Sequence, residues 1–330
     1  MSDTMKAFRI HAWGDPARID RIPVPTPEPG HALVKIEAAA VTHLDLTVAS
    51  GEFVMKPVLP YVGGVEGAGV VVSSDRFAPG TKVTVRGGGL GTMRDGTWAE
   101  YVAVPHEALA ETTTGLSPEL AATSFDPLTT AHVALHEVGR LGTWPVHGVR
   151  APGDEVVVVA GAAGAVGSMA VQLALRAGAR VIGLVSRPER AADVPTGAEV
   201  VALAEHDRLA ELKVSRPATL LVDTWGGSGL VARGGWVRPG GRTLVIGYVQ
   251  GTALSIDIPN WMFDDVALLP VNMLQRHDSA RRVVDELTGL LARGELTLRV
   301  NAFPMVADSP VFDLLSRGQI DGRACISPTP

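Results

Sequence analysis

The residues Gly161-Ala162-Ala163-Gly164-Ala165-Val166-Gly167 have the spacing of a phosphate-holding turn, GxGxxG with Ala162 in first place. Gly164 lets the backbone approach a pyrophosphate, and Gly167 allows a helix to pack closely on a sheet. The N–H groups of Ala163, Ala165 and Val166, where that helix opens, would hold the phosphate oxygens. A glycine pattern alone also describes a packing turn. Context favours a ligand: an apolar strand, Glu155 to Ala160, runs into the turn, a helix from Ser168 to Ala177 leaves it, and the next strand, Arg180 to Val185, ends about twenty residues on. That strand is followed by Ser186, Arg187 and Arg190 instead of ending on an acid. A hydroxyl and two guanidinium groups suit a ribose 2′-phosphate, whereas a carboxylate would take a 2′-hydroxyl, so NADPH is favoured over NADH. Two readings stay open beside it: Arg187 and Arg190 as solvated charges at a helix start, and Glu189 as a ribose ligand.

Composition narrows the classes. The chain has 330 residues, 46% hydrophobic and 19% charged, with 37 Gly and 23 Pro, which fits a loop-rich α/β protein of two domains. A net charge of -6 with no basic cluster sets nucleic acid aside. The single cysteine, Cys325, excludes a disulfide framework and any multi-cysteine zinc site. Met1 to Ile10 lacks a charged segment followed by an apolar one, so a cytoplasmic protein is expected. Val156 to Leu175 is uncharged enough to imitate a membrane span, but its glycines mark a buried strand, a turn and a helix. His132 and His136, four apart, could imitate a metal pair; packing on a helix face is the favoured reading because no acidic third ligand follows.

The elements that must position these residues fall into two styles. Short β patterns occupy Met5 to Trp13, Ala32 to Ala38, Glu66 to Ser73, Lys82 to Arg86 and Thr97 to Val104, with helices expected at Thr42 to Ala49, Pro118 to Phe125 and Thr129 to Val138. From Asp154, strands and helices alternate. The strands are Glu155 to Ala160, Arg180 to Val185, Glu199 to Leu203, Ala218 to Asp223, Arg242 to Gly247 and Ala267 to Met273, which specifies a doubly wound parallel sheet of six strands. A helix from Ser279 to Ala292, a strand near Thr297 to Met305, a short helix near Ser309 to Arg317 and a strand at Arg323 to Ser327 resume the first style. The expected division is therefore 1–125 with 275–330, and 126–274 for the dinucleotide domain.

Ordered motifs carry a resemblance along nearly the whole chain: Ala40-Val41-Thr42-His43-Leu44-Asp45, Leu59 to Gly69, Gly96 to Tyr101, Pro127 to Ala131, the turn at Ala160 to Gly167, Asp223-Thr224-Trp225-Gly226-Gly227, Arg238 to Arg242, and Gly322-Arg323. In these the chain resembles the medium-chain dehydrogenase/reductase superfamily, and within it the zinc-independent quinone oxidoreductase branch. The resemblance implies a GroES-like β-rich catalytic domain, a Rossmann domain with the active cleft between them, and a homodimer through the last Rossmann strand, Ala267 to Met273. It also implies that Thr42, His43, Asp45 and Thr47 are polar candidates for catalysis, that Thr130 and Gly247 lie near the cofactor, and that Tyr248 flanks nicotinamide or substrate.

Where zinc-dependent relatives carry Cys and His, this chain has Thr42 and Val65. Valine offers no donor atom and a threonine hydroxyl is a poor ligand, while a catalytic zinc needs three protein ligands. Where the branch often carries Asn and Tyr, this chain has Thr42 and Thr47, which removes the obvious phenolic proton donor. Without a Lewis acid, reduction of a quinone or an α,β-unsaturated carbonyl is easier than oxidation of a simple alcohol. The expectation is an NADPH-dependent, zinc-independent reductase of such an acceptor. A carbonyl reductase of the same fold and a non-catalytic NADPH-binding protein are the alternatives.

Overall fold

A computed structural model describes residues 3–328 of the chain. The chain divides into two compact units, Met1–Phe125 with Leu291–Pro330, and Asp126–Leu290. The crossing back into the first unit lies at Leu291 and not at 275, because the long helix that starts at His277 belongs to the second unit.

The first unit opens with strands β1 (Thr4–Ile10), β2 (Arg18–Pro23), β3 (His31–Val41), β4 (Tyr61–Val62), β5 (Glu66–Ser74), β6 (Lys82–Arg86), β7 (Tyr101–Pro105) and β8 (Leu109–Glu111), with helices α1 (His43–Ala49) and α2 (Pro118–Thr123). β2 and β8 carry no strong alternation in sequence, and the segment expected as one strand from Thr97 becomes regular only at Tyr101. β3 is the centre of the larger sheet, pairing antiparallel with β5 and β7. Its partner approaches so closely that a Cβ on Gly69 would overlap the Lys35 carbonyl, which is why a glycine sits in mid-strand. Phe8, Val34, Ile36, Val83, Trp98 and Val104 make the core of this unit.

The second unit holds α3 (Phe125–His132, its first residue on the boundary), β9 (Val156–Ala160), α4 (Ala165–Arg176), β10 (Arg180–Val185), β11 (Glu199–Ala202), α5 (His206–Ser215), β12 (Ala218–Asp223), α6 (Gly229–Gly234), β13 (Val237–Val245), α7 (Ile258–Asp264), β14 (Ala267–Pro270) and α8 (His277–Ala292). The expected helix from Thr129 to Val138 is α3 followed by a π-helical turn, Val133–Val138, in which Gly139 N donates to the Ala134 carbonyl. The six strands form one parallel sheet in the order β11-β10-β9-β12-β13-β14. Val157, Val158 and Val159 are fully buried, as a strand covered on both faces requires, so the segment that imitates a membrane span is a strand, a turn and α4. Among the described residues no helix is long and apolar enough to cross a membrane.

The amino end of this sheet is locked by a buried ion pair. The Glu155 carboxylate accepts from Arg242 Nη1 (2.6 Å) and Nη2 (2.9 Å), Thr219 Oγ1 (2.6 Å) and Gly142 N (2.7 Å), and both charged side chains are fully buried. Burial raises the Glu155 pKa, but the hydrogen bonds from Arg242 and Thr219 outweigh it and the net shift is downward.

The return segment adds β15 (Val300–Pro304), α9 (Val311–Ser316) and β16 (Arg323–Ser327) to the first unit. β16 pairs with β3 and carries Cys325, fully buried in a small cluster with Ala38, Ala68, Ala121 and Ala122. Burial pushes its thiol up to about 12.

Candidate active site

The strand order of the parallel sheet reverses between β9 and β12, and it is at the carboxyl ends of strands at such a reversal that doubly wound sheets bind ligands. The glycine turn sits on that point. Gly161 has φ +83°, and a Cβ on it would overlap the Thr224 hydroxyl. Gly164 is the N-cap of α4 and offers no capping side chain, so the first-turn N–H groups at Ala165, Val166 and Gly167 have no partner within the helix. A Cβ on Gly167 would overlap the Gly161 carbonyl, so this position does pack the helix onto the strand. Ala162 fits in first place because its methyl faces Gly183 of β10, where a Cβ would come within 2.9 Å of it. A helix start without a side-chain cap, beside a turn free of bulk, fits a dinucleotide pyrophosphate.

Ser186 and Arg187 follow β10 and are exposed. Arg190 differs: it is half-buried, its Nε lies 3.0 Å from Asp193, and its Nη2 donates to the Ala163 carbonyl at 3.3 Å. It therefore braces the phosphate turn. Thr130 is buried on α3. Gly247 follows β13, and a Cβ there would overlap the Thr224 carbonyl, while Tyr248 beside it is 62% exposed.

The group that shapes this edge is not among the site residues expected from the sequence. Asp223, at the end of β12, is fully buried. Its Oδ1 accepts from Trp225 N (3.0 Å), Gly226 N (2.8 Å) and Arg233 Nη2 (3.2 Å), and its Oδ2 from Arg233 Nε (2.6 Å). Arg233, on α6, also donates to the Gly226 carbonyl at 2.9 Å. The pair thus fixes a turn in which Gly226 and Gly227 both have φ near +65°, which an L side chain rarely adopts. Ile246 N donates to the Asp223 carbonyl and Gln250 N to that of Trp225, so segments 223–227 and 246–250 form one wall. An Asp closing a strand before a Trp-Gly-Gly turn was the available signal, but Arg233 lies ten residues on with nothing local to mark it.

The first unit places Thr42, His43, Asp45 and Thr47 around the start of α1. Thr42 is the N-cap in a capping box: its Oγ1 donates to Asp45 Oδ2 at 2.6 Å, its N donates to the same oxygen at 2.7 Å, and Asp45 N donates back to Oγ1 at 3.2 Å. The other Asp45 oxygen accepts from Val65 N at 3.0 Å. One buried carboxylate therefore ties together the two positions where zinc-dependent relatives carry ligands. Burial, against the bonds from Thr42 and Val65, pushes its pKa up to about 6. Thr47 Oγ1 donates to the His43 carbonyl at 2.9 Å, so of the four candidates Thr42, Asp45 and Thr47 all have structural tasks. His43 is exposed at the first turn, and desolvation followed by the positive field of Arg323 lowers its pKa.

His132 and His136 do meet, with ring centroids 4.6 Å apart and planes tilted by 45°. Among the described residues no group of three or more His, Cys, Asp or Glu side chains is arranged to hold a metal.

Two family models match the chain in order: the alcohol dehydrogenase GroES-like domain over residues 28–114, and the zinc-binding dehydrogenase domain over 165–289. The chain belongs to the medium-chain dehydrogenase/reductase superfamily. Its first unit is the GroES-like domain and its second the Rossmann domain. A zinc-type alcohol dehydrogenase-like protein of Schizosaccharomyces pombe is 37% identical over 183 residues, covering 54% of this chain and only 53% of that protein, so the chain matches about half of that relative. An acrylyl-CoA reductase of Ruegeria pomeroyi is 27% identical, with 90% of each chain covered. A quinone oxidoreductase structure from Pseudomonas syringae pv. Tomato superposes with TM-score 0.82 and 25% identity, covering 98% of this chain and 100% of that one. The likenesses to the quinone oxidoreductase and the acrylyl-CoA reductase set this medium-chain dehydrogenase/reductase in the quinone oxidoreductase-like branch.

Proposed function

We propose that this oxidoreductase is an NADPH-dependent reductase that works without zinc and delivers hydride to a quinone or an α,β-unsaturated carbonyl. One observation carries the reading: the Thr42 hydroxyl is committed to the Asp45 carboxylate and the Val65 side chain has no donor atom, so neither zinc position has a ligand atom to offer. The similarity to a quinone oxidoreductase and an acrylyl-CoA reductase supports the acceptor class.

NADPH, when bound, supplies the hydride. The chain's own part is to hold and shield. The start of α4 takes the pyrophosphate, Ser186 and Arg187 take the 2′-phosphate, and the wall of segments 223–227 and 246–250 borders the nicotinamide end. Proton delivery falls to solvent or to His43. Thr42 and Thr47 already donate within α1, and Tyr61 is buried with its pKa pushed upward by desolvation and by Asp45. We further propose a homodimer through the outer edge of β14, the last strand of the sheet, where Pro270 comes only at the final position.

The test is NADPH oxidation against a panel of quinones, enones, ketones and aldehydes, with Arg187→Ala alongside. Losing one charge-assisted hydrogen-bonding partner costs about 1.5–3 kcal/mol, so the variant should lose about 10- to 150-fold of its preference for NADPH over NADH. An unchanged preference refutes the cofactor assignment, and tight NADPH binding with no acceptor consumed refutes the enzyme.

A further inference from the structure

We propose that the second unit carries another small-molecule site, a cavity between α6, α7, β13 and β14 that takes a neutral, ring-sized compound bearing one hydrogen-bonding group. The cavity measures about 210 Å³, and none of its lining residues belongs to the glycine turn or to segments 223–227 and 246–250. Its walls are mainly apolar, with Leu230, Trp261, Val266 and Leu268 among them. An apolar cavity of about 150 Å³ holds benzene, so this one has room for a substituted ring.

A polar feature specifies the ligand further. Thr243 is 1% exposed, lines the cavity, and its hydroxyl is buried with no hydrogen-bond partner among the described residues. Buried hydroxyls are almost always bonded, and an orphan on a cavity wall is a place for a ligand's hydroxyl or carbonyl. Asp257 and Asp264 also line the cavity and bring two carboxylates, of which Asp264 is paired with Arg216. Asp257, exposed and bonded only to a backbone N–H, keeps an uncompensated negative charge on this wall, which disfavours anionic ligands. The site therefore favours a phenol or a cyclic ketone over a hydrocarbon, and either over a carboxylate.

Calorimetric titration of the full chain with 4-methylphenol, toluene and 4-methylbenzoate tests this. The expected result is one 4-methylphenol per chain, weaker toluene and no 4-methylbenzoate. Thr243→Val, close to isosteric, should weaken 4-methylphenol about tenfold and leave toluene unchanged. Val231→Trp, on a half-exposed wall, should abolish binding of both by filling the cavity while thermal unfolding and NADPH oxidation stay as in the wild type. Absence of 4-methylphenol binding at millimolar concentration, or binding indifferent to Val231→Trp, overturns the site. An equal effect of Thr243→Val on phenol and toluene overturns the role of the hydroxyl.

Discussion

Asp223→Asn should damage stability and cofactor binding together, whereas Glu155→Gln should damage stability alone. Each replacement leaves a buried guanidinium without its carboxylate, Arg233 in the first case and Arg242 in the second. Breaking such a pair costs about 3–5 kcal/mol. For a domain of this size about 2–4 °C is lost per kcal/mol, so each variant should melt roughly 6–20 °C lower. Location separates the two. Glu155 lies at the amino end of β9, remote in the sheet from the glycine turn at its carboxyl end, while Asp223 holds Trp225, Gly226 and Arg233 at the edge that borders the turn. If the unanchored turn leaves its left-handed shape for about nine-tenths of the time or more, the apparent Kd for NADPH rises about tenfold or more. Differential scanning calorimetry and fluorescence titration with NADPH, both variants side by side at a temperature where each is folded, give the two readouts. Equal cofactor affinity in the two variants would show that Asp223 is only a stabilising residue, and an unaltered melting temperature would refute the energetic argument for both.

Gly167→Ala places a methyl on the backbone carbonyl of Gly161, so one of the two must shift; overpacking of this kind costs about 1–3 kcal/mol, and NADPH affinity by titration should fall at least tenfold. For Asp45, whose folded-state pKa of about 6 exceeds the ordinary 3.8, the stabilising contribution is whole below 3.8 and is lost as pH rises through about 6. The difference in unfolding free energy between wild type and Asp45→Asn should accordingly decline over that window by at most about 1.4 kcal/mol per pH unit, and a flat difference in urea titrations would exclude a titrating Asp45.

Legibility in the sequence followed the range of the interactions. β6, β10, β12 and β16 match the expected ranges residue for residue, because β6 alternates apolar and polar residues and the other three have apolar centres. The Arg242 strand was expected to begin at 242, yet β13 begins at Val237: the Pro239-Gly240-Gly241 interruption reads as a break but is absorbed as an irregularity against β12. The glycine turn was readable because each glycine answers a contact only a few residues away along the chain or on the neighbouring strand. The roles of Thr42 and Asp45 were half readable: Thr-x-x-Asp is a local capping signature, but the bond from Val65 N arrives from twenty residues on. The charge of Arg190 suits a phosphate or solvent equally well in sequence, and only the fold reveals that the Ala163 carbonyl and Asp193 engage it.

Cys325 gives the chain an unusual chemical quietness. The quinone and enone acceptors proposed above are soft electrophiles that add to thiolates, so a protein handling them is exposed to alkylation. Here the sole sulfhydryl is sealed in the alanine cluster behind β3 and stays protonated across the physiological range. A chain built this way would be spared suicide inactivation through cysteine, and would keep its activity in an electrophile-rich medium that silences thiol-dependent enzymes.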